Sequence, residues 1–438
     1  MTENKKIGVI SLGCDKNRVD TEKMLSVLAD RHVLVSNERD ADVIIINTCA
    51  FLESARKEAI SEILYAIELK KQGDVEKIIV TGCLPQKFVD DVYGELIEVD
   101  AFLGVSDYLK INEVINEIYS GGRINAVSEP KNEENTNRVL TTNGYAYLKI
   151  ADGCDNHCTY CLIPKIRGKY RSHSLDSLVL EASKLGEVGE LILVAQDTAC
   201  YGKDLSEKTT LVDLIKKLSE LENVKKIRLL YCYPENISDE LIKEIKTNDK
   251  VIKYIDMPLQ HADDKVLKRM NRKGSKETYL ALIEKLRKEV DGIAIRSTFI
   301  AGFPGEGQDA FNNLIDFLSK AKLDGAGFFA YSREEGTPAY KLDGQLDKKE
   351  KNFRQRELYS VQKKIVRENL KKYKGKTISV IAEGFDDNQF VYYGRAYFNA
   401  PDIDGKVYFF SSEPIECGKY YDVKIIKATG YDLYGERL

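Results

Sequence analysis

Hydrophobic positions follow two rhythms along this 438-residue chain. Short β-branched runs, Ile7 to Leu12, Val43 to Ile46 and Lys77 to Val80, are of the kind that parallel strands covered on both faces show. Between them the apolar residues recur with helical period: over Glu53 to Lys70, Ile60, Ile63, Leu64 and Ile67 share one face before Gly73 closes the segment. Alternating strand and helix predict a doubly wound parallel α/β domain over residues 1–127. The polar stretch Ser128 to Asn143, with Glu129, Pro130, Lys131, Asn132, Glu133 and Glu134, reads as a linker over 128–143. Strands are then expected at Tyr145 to Ile150, Glu190 to Val194, Ile227 to Cys232, Tyr254 to Met257, Ile293 to Phe299 and Gly327 to Tyr331. Helices such as Leu211 to Leu221, Lys276 to Val290 and Ala310 to Ala321 separate them. Six such units over 144–372 predict an incomplete (β/α)6, TIM-like barrel rather than a closed eightfold one. A charged helix at about Lys348 to Lys374, with the sparse stripe Val361, Ile365 and Leu370, reads as a solvated packing helix. From Lys376 onward the runs shorten to Thr377 to Ala382, Gln389 to Tyr397, Gly405 to Phe410 and Tyr421 to Ala428, which predicts a small antiparallel, OB-like β-barrel over 373–438.

Composition narrows the setting. The start, Met1-Thr2-Glu3-Asn4-Lys5-Lys6, lacks the apolar core of an export signal, and no stretch approaches the roughly 18 apolar residues of a membrane span. A cytoplasmic enzyme with reduced thiols is therefore expected, and the odd count of nine cysteines argues against a disulfide framework. The net charge of -4 opposes nucleic-acid binding by bulk charge. Residues 376–438 carry seven basic against ten acidic groups, a balance that argues against direct nucleic-acid binding and favours a basic protein as partner.

The strongest chemical signal is Gly153-Cys154-Asp155-Asn156-His157-Cys158-Thr159-Tyr160-Cys161. Its Cys-x-x-x-Cys-x-x-Cys spacing puts three thiolates on one short loop, enough to hold three corners of a cubane iron-sulfur cluster and leave the fourth iron open to substrate. The alternative is a zinc site, for which His157 is the only nearby fourth ligand. Three further cysteines each follow a predicted strand: Cys14 in Leu12-Gly13-Cys14, Cys49 in Asn47-Thr48-Cys49, and Cys83 in Thr81-Gly82-Cys83. In an open parallel sheet the carboxyl ends of the strands meet at one crevice, so these thiols are expected to converge on a second cluster; singly, each reads as a buried structural cysteine. Cys200, Cys232 and Cys417 have no matching partners and read as spectators. Polar residues assigned to the carboxyl rim of the predicted barrel are Gln196, Asp197, Tyr233, Glu235, Gln260, His261 and Arg296. Of these, Gln196, Asp197 and Arg296 are candidates for the amino and carboxylate groups of a bound cofactor, with turn and salt-bridge roles as the alternative. His261 reads as a supporting or helix-start residue, and Gly302-Phe303-Pro304-Gly305-Glu306 as a rim turn.

The chain resembles the radical S-adenosylmethionine (SAM) methylthiotransferases. The resemblance rests on Ser11-Leu12-Gly13-Cys14-Asp15-Lys16-Asn17, on Gly153 to Cys161 running into Ile163-Pro164 and Arg167-Gly168, and on Gln196-Asp197-Thr198, Tyr231 to Pro234, Pro258-Leu259-Gln260-His261-Ala262 and Gly302 to Glu306. It departs from the family at Asp15, where Pro is usual, and at Cys200. The resemblance implies an N-terminal methylthiotransferase domain, a radical SAM barrel and a terminal TRAM domain. It further implies a SAM-binding 4Fe-4S cluster on Cys154, Cys158 and Cys161, an auxiliary 4Fe-4S cluster on Cys14, Cys49 and Cys83, and Tyr160 against the adenine. SAM would serve as both methyl donor and radical source, with an electron donor such as flavodoxin or ferredoxin. Within the family, the branch matched best modifies an aspartate β-carbon of ribosomal protein uS12, free or in the small subunit. The alternatives are a tRNA adenosine methylthiotransferase and a non-catalytic iron-sulfur carrier.

Overall fold

The computed structural model describes residues 4–132 and 135–438, so the expectations placed on Met1 to Glu3 and on Glu133 and Glu134 lie outside the described residues. Two compact units are present. One comprises residues up to 141 together with 147–157 and 161–185, the other 142–146, 158–160 and 186–438.

The first unit is built on β1 (Lys6–Ser11), β2 (Val33–Val35), β3 (Val43–Thr48), β4 (Lys77–Gly82), β5 (Ala101–Leu103) and β6 (Ile124–Ala126), an all-parallel sheet in the order β2-β1-β3-β4-β5-β6. Helices α1 (Asp15–Ala29), α2 (Glu53–Gln72), α3 (Cys83–Glu95) and α4 (Ile111–Tyr119) cover both faces. Alternate residues of one strand serve opposite cores: Ile44 and Ile46 join Ala59, Ile63 and Ala66 of α2, while Val43 and Ile45 join Met24 and Leu28 of α1 and Ile115 of α4. That is why the strands read as unbroken apolar runs. As expected, Gly73 stops α2 in the left-handed region (φ 85°), its N–H bonded to Leu69 and Lys70 carbonyls. The three-residue strands β2, β5 and β6 were too short to show in the hydrophobic pattern.

Further along come β7 (Tyr145–Lys149), the short antiparallel pair β8 (Ala151–Asp152) and β9 (Arg171–Ser172), α5 (Ile163–Ile166) and α6 (Leu175–Ser183). The polar stretch before them is not a free tether. Arg138, its side chain fully buried, reaches Glu22 of α1 and donates 3.0 Å to Glu181 of α6, while Thr141 Oγ1 donates 2.7 Å to Glu22. Polar composition reads as a linker, yet the charge of Arg138 is taken up by ion pairs inside the unit.

The second unit contains β10 (Val188–Val194), β11 (Val224–Leu229), β12 (Val251–Gln260), β13 (Ala294–Ala301) and β14 (Gly325–Ala330), with sheet order β14-β13-β12-β11-β10-β7. Alternating with them are α7 (Leu211–Ser219), α8 (Asp239–Thr247), α9 (Asp264–Arg269), α10 (Lys276–Glu289) and α11 (Gln308–Ala321). Six strands in an open array, parallel from β10 to β14, form the expected half-barrel. The helix starts are set locally by capping side chains, with reciprocal boxes at Thr210/Asp213 and Ser275/Thr278.

Helix α12 (Lys348–Lys371) follows, and its buried line is Arg354, Leu358, Gln362, Val366 and Leu370. The stripe expected through Val361 and Ile365 is thus rotated by one residue. The charged Arg354 and polar Gln362 are buried because Glu306 and the Leu323 carbonyl accept their N–H groups. Strands β15 (Thr377–Asp386), β16 (Val391–Arg395), β17 (Val407–Phe410), β18 (Tyr420–Thr429) and β19 (Asp432–Arg437) close into a barrel in the order β15-β16-β17-β19-β18. It is antiparallel except where β17 pairs parallel with β19, a strand absent from the sequence reading. Among the described residues no helix is long and apolar enough to cross a membrane.

Candidate active site

Cys14, Cys49 and Cys83 stand one after another at the carboxyl ends of neighbouring strands. Cys14 is the N-cap of α1, Cys49 follows β3, and Cys83 opens α3. Their approach is close: a Cβ on Gly13, which holds φ 94°, would lie 2.7 Å from Cys49 Cβ and 3.2 Å from its Sγ. Burial pushes the Cys83 thiol up to about 12 and also raises Cys49, with Cys14 raising both and Arg167 pulling both down. Cys49 and Cys83 therefore both sense the thiol of Cys14.

Side chains that sequence reasoning left without a role hold these ends together. The fully buried Asn17 donates 3.1 Å to the Leu12 carbonyl and 3.0 Å to that of Thr48, tying two of the strand ends. Thr48 Oγ1 donates 2.6 Å to the Thr81 carbonyl, tying in the third. Arg167, also buried, donates 2.6 Å to Asn17 Oδ1 and 3.0 Å to Asp20, contacts Asp152 at 2.8 Å, and lies 4.0 Å from Cys83 Sγ. Although burial opposes it, Asp152 is held well below the usual carboxylate range by Arg167 and Lys149. The Arg167-Gly168 pair belonged to the recognisable motif; its placement beside Cys83 was not legible, because 84 residues separate them.

The consecutive trio lies on the loop after β8. Gly153, at φ 77°, admits no side chain, because a Cβ there would sit 2.0 Å from the Lys169 carbonyl oxygen. Cys154 N–H donates 3.1 Å to the Gly168 carbonyl, and the Ile163 amide donates 3.4 Å to Cys161 Sγ. In the second unit, Thr159 fixes the middle of the motif: its N–H donates to Met270 O (3.0 Å), its carbonyl accepts from Ala339 (2.8 Å) and its hydroxyl donates to Arg269 O (2.8 Å). Tyr160 packs edge-on against Phe303 at 6.3 Å, beside Met270, Tyr331 and Ala339. Cys158 Sγ is 3.1 Å from the hydroxyl of Tyr233, whose ring carries the Arg272 guanidinium 3.5 Å from its centroid. Burial pushes the Tyr233 phenol up, so it keeps its proton.

The polar candidates divide. Asp197 accepts from Tyr233 N–H (3.3 Å) and Asn236 Nδ2 (2.8 Å), joining the exits of β10 and β11, and Gln196 precedes it on that rim. His261 is fully buried, 3.0 Å from Glu306, and its Nδ1 accepts from the Asp263 amide at the start of α9, the supporting role expected of it. Glu306 in turn binds the Gly302 amide and Arg354, so the Gly302 to Glu306 turn is anchored on both sides. Arg296 departs from its expected place at the carboxyl rim. It is the third residue of β13, bonded 3.0 Å to Asp256 on the neighbouring strand and 3.8 Å from Asp404, on a cavity of about 470 Å³ with Asp324, Phe329, Tyr359 and Tyr431. A charge in a buried parallel strand is paid for by a carboxylate across the ladder, and the sequence does not say which strand supplies it.

No disulfide joins the described cysteines. Among the described residues no three His, Cys, Asp or Glu side chains are close enough to share a single metal ion. An all-cysteine donor set such as each trio is of the kind that holds an iron-sulfur cluster, with one thiolate per iron.

Known proteins agree with this architecture. Residues 6–104 match the uncharacterized protein family UPF0004, residues 148–318 the radical SAM superfamily, and residues 375–438 the TRAM domain. Among solved structures, the radical SAM methyltransferase TsrM of Kitasatospora setae shares the fold at a TM-score of 0.56 and 13% identity, covering 77% of both chains. The cobalamin-dependent radical SAM enzyme OxsB gives 0.54 at 15%, over 77% of this chain and 55% of that one. The ribosomal protein uS12 methylthiotransferase RimO of Clostridium botulinum (strain Eklund 17B) is 48% identical over 98% of this chain and 97% of its own. That of Acetivibrio thermocellus is 46% identical over 99% and 98%. Identity of this order along the whole length, over the same three modules, shows that the chain belongs to the RimO family of radical SAM methylthiotransferases.

Proposed function

We propose that this enzyme replaces a β-hydrogen of an aspartate in ribosomal protein uS12 with a methylthio group, holding one 4Fe-4S cluster on Cys154, Cys158 and Cys161 and a second on Cys14, Cys49 and Cys83. The observation that carries the reading is the convergence of three thiols, distant in sequence, around Asn17 and Arg167. In their bound state the clusters and SAM supply a hydrogen-abstracting radical, the sulfur and the methyl group.

The chain's own residues do the rest. Arg167 places a buried positive charge beside Cys83, where it would offset the negative charge of thiolates that have released their protons to bind iron. Asn17 and Thr48 lock the strand ends, so three thiolates are presented without ordering loops at assembly. Tyr160, with Phe303 and Met270 behind it, offers an apolar face for an adenine ring and excludes water. Gln196 and Asp197 are candidate partners for the polar end of SAM. We assign residues 1–127 to the auxiliary-cluster domain, 144–372 to the barrel and 373–438 to a TRAM module whose net negative charge suits a basic ribosomal protein.

The test is anaerobic turnover with a low-potential donor such as flavodoxin or ferredoxin, offering uS12, small subunits and tRNA in parallel. A methylthio mass gain on the uS12 aspartate is expected; product on tRNA alone, or a single cluster in fully loaded protein, would sink the reading.

A further inference from the structure

The loop that carries Tyr233 is unusually constrained. Tyr231, a non-glycine residue, is held at φ 59°, a conformation that costs energy and persists only where its surroundings enforce it. They do so through three consecutive amides: Tyr231 N–H donates 3.1 Å to Asp256 Oδ2, Cys232 N–H 2.8 Å to the Asp256 carbonyl, and Tyr233 N–H 3.3 Å to Asp197 Oδ1. The result is a tyrosine whose hydroxyl stands 3.1 Å from Cys158 Sγ. Its ring is clamped from one face by Arg272, only 6% exposed, whose Nη2 is fixed to the Pro258 carbonyl. Tyr279 flanks the arginine and donates 3.3 Å to Glu235, and Gly274 leaves room for that ring, since a Cβ there would lie 2.0 Å from it.

A cysteine that ligates iron has no proton to give, so the hydroxyl must be the donor in this pair. We propose that Tyr233, positioned by Arg272, donates a hydrogen bond to the Cys158 thiolate and thereby raises the reduction potential of the SAM-binding cluster. Hydrogen bonds to ligating sulfur draw charge from the cluster and stabilise its reduced form, and a buried guanidinium behind the ring acts in the same direction. Tyr233 is a positioning residue: it touches a cluster ligand, not the substrate. The inference rests on the assignment of Cys158 as a ligand.

The experiment uses anaerobically loaded full-length protein. In wild-type protein exchanged into D2O and reduced, electron-nuclear double resonance should detect an exchangeable deuteron coupled to the SAM cluster, and Tyr233→Phe should lose that one coupling with bound iron unchanged. Redox titration of Tyr233→Phe should place the cluster at a more negative midpoint potential, and Arg272→Gln should shift it in the same direction by less. A SAM-bound cluster in the wild type with no exchangeable deuteron, or an unaltered potential in an iron-replete Tyr233→Phe, overturns the inference alone. If Tyr233→Phe fails to retain iron, fluorotyrosine incorporated at position 233, a stronger hydroxyl donor of nearly the same shape, decides: the midpoint potential should rise, and an unaltered one overturns the inference. No SAM-coupled cluster in wild-type protein would instead defeat the assignment of Cys158.

Discussion

The two cysteine trios reach similar ends by opposite routes. Cys154, Cys158 and Cys161 lie within eight residues, so backbone geometry alone keeps them near one another, and Gly153 with the hydrogen bonds of Thr159 sets the loop. Cys14, Cys49 and Cys83 are spread over seventy residues and meet only because β1, β3 and β4 are parallel neighbours with aligned carboxyl ends. The surroundings differ accordingly. The strand-end trio is supported by a buried ion-pair lattice of Arg167, Asp20, Asp152 and Lys149, whereas Cys158 has a tyrosine hydroxyl with an arginine behind it. A local motif needs few supports; a long-range one must be stitched by side chains that have no other work.

Substituting one cysteine from each trio gives the largest expected contrast. Cys158→Ala should abolish deoxyadenosine formation from SAM while retaining about half the iron, and Cys14→Ala should retain SAM cleavage with about half the iron but lose methylthiolation. Iron assay with product chromatography checks both, and cleavage lost in Cys14→Ala with full iron would erase the contrast. Next comes Arg167→Met, which leaves Asp20 and Asp152 with Lys149 alone as a shared cation; stability of the metal-free protein should fall by about 3 kcal/mol, read from urea unfolding. Gly153→Ala should cost about 1–3 kcal/mol from backbone strain, together with whatever shift the Lys169 carbonyl must make. Its iron loss should be confined to the loop trio.

The smallest effect concerns pH. Burial pushes His173 down to about 3, with Lys23 and Lys149 adding to the shift. The unfolded chain, titrating near 6.5, therefore binds a proton that the folded chain refuses between about pH 6.5 and 3. The stabilisation is complete above pH 6.5 and drains as pH falls, by about 1 kcal/mol per unit just below it. His173→Gln should flatten the dependence of the urea midpoint between about pH 7 and 5.5 relative to wild type; parallel curves would show that His173 does not titrate in this way.

Legibility tracked the range of the interaction. Strands long enough to show a full apolar run were visible, as were α2 with its Gly73 stop and the helix-start role of His261. Strands β2, β5 and β6 were not, because three residues carry no period, and β19 was missed at the chain's end. The α12 stripe was placed one residue off, since its buried line includes Arg354 and Gln362, polar residues satisfied only by distant acceptors. Arg296 was put on the wrong end of its strand for the same reason: its partner Asp256 is forty residues away.

Spacing along the chain made the loop's three thiols, the parallel sheets and the terminal barrel legible, because motif spacing, burial period and capping are local properties. The strand-end positions of Cys14, Cys49 and Cys83 pointed to their convergence, and folding alone decided that Arg167 lies beside Cys83 and that Tyr233 faces Cys158. Those contacts depend on which strands become neighbours, and the free energy that selects neighbours is summed over the whole core rather than written at any one position.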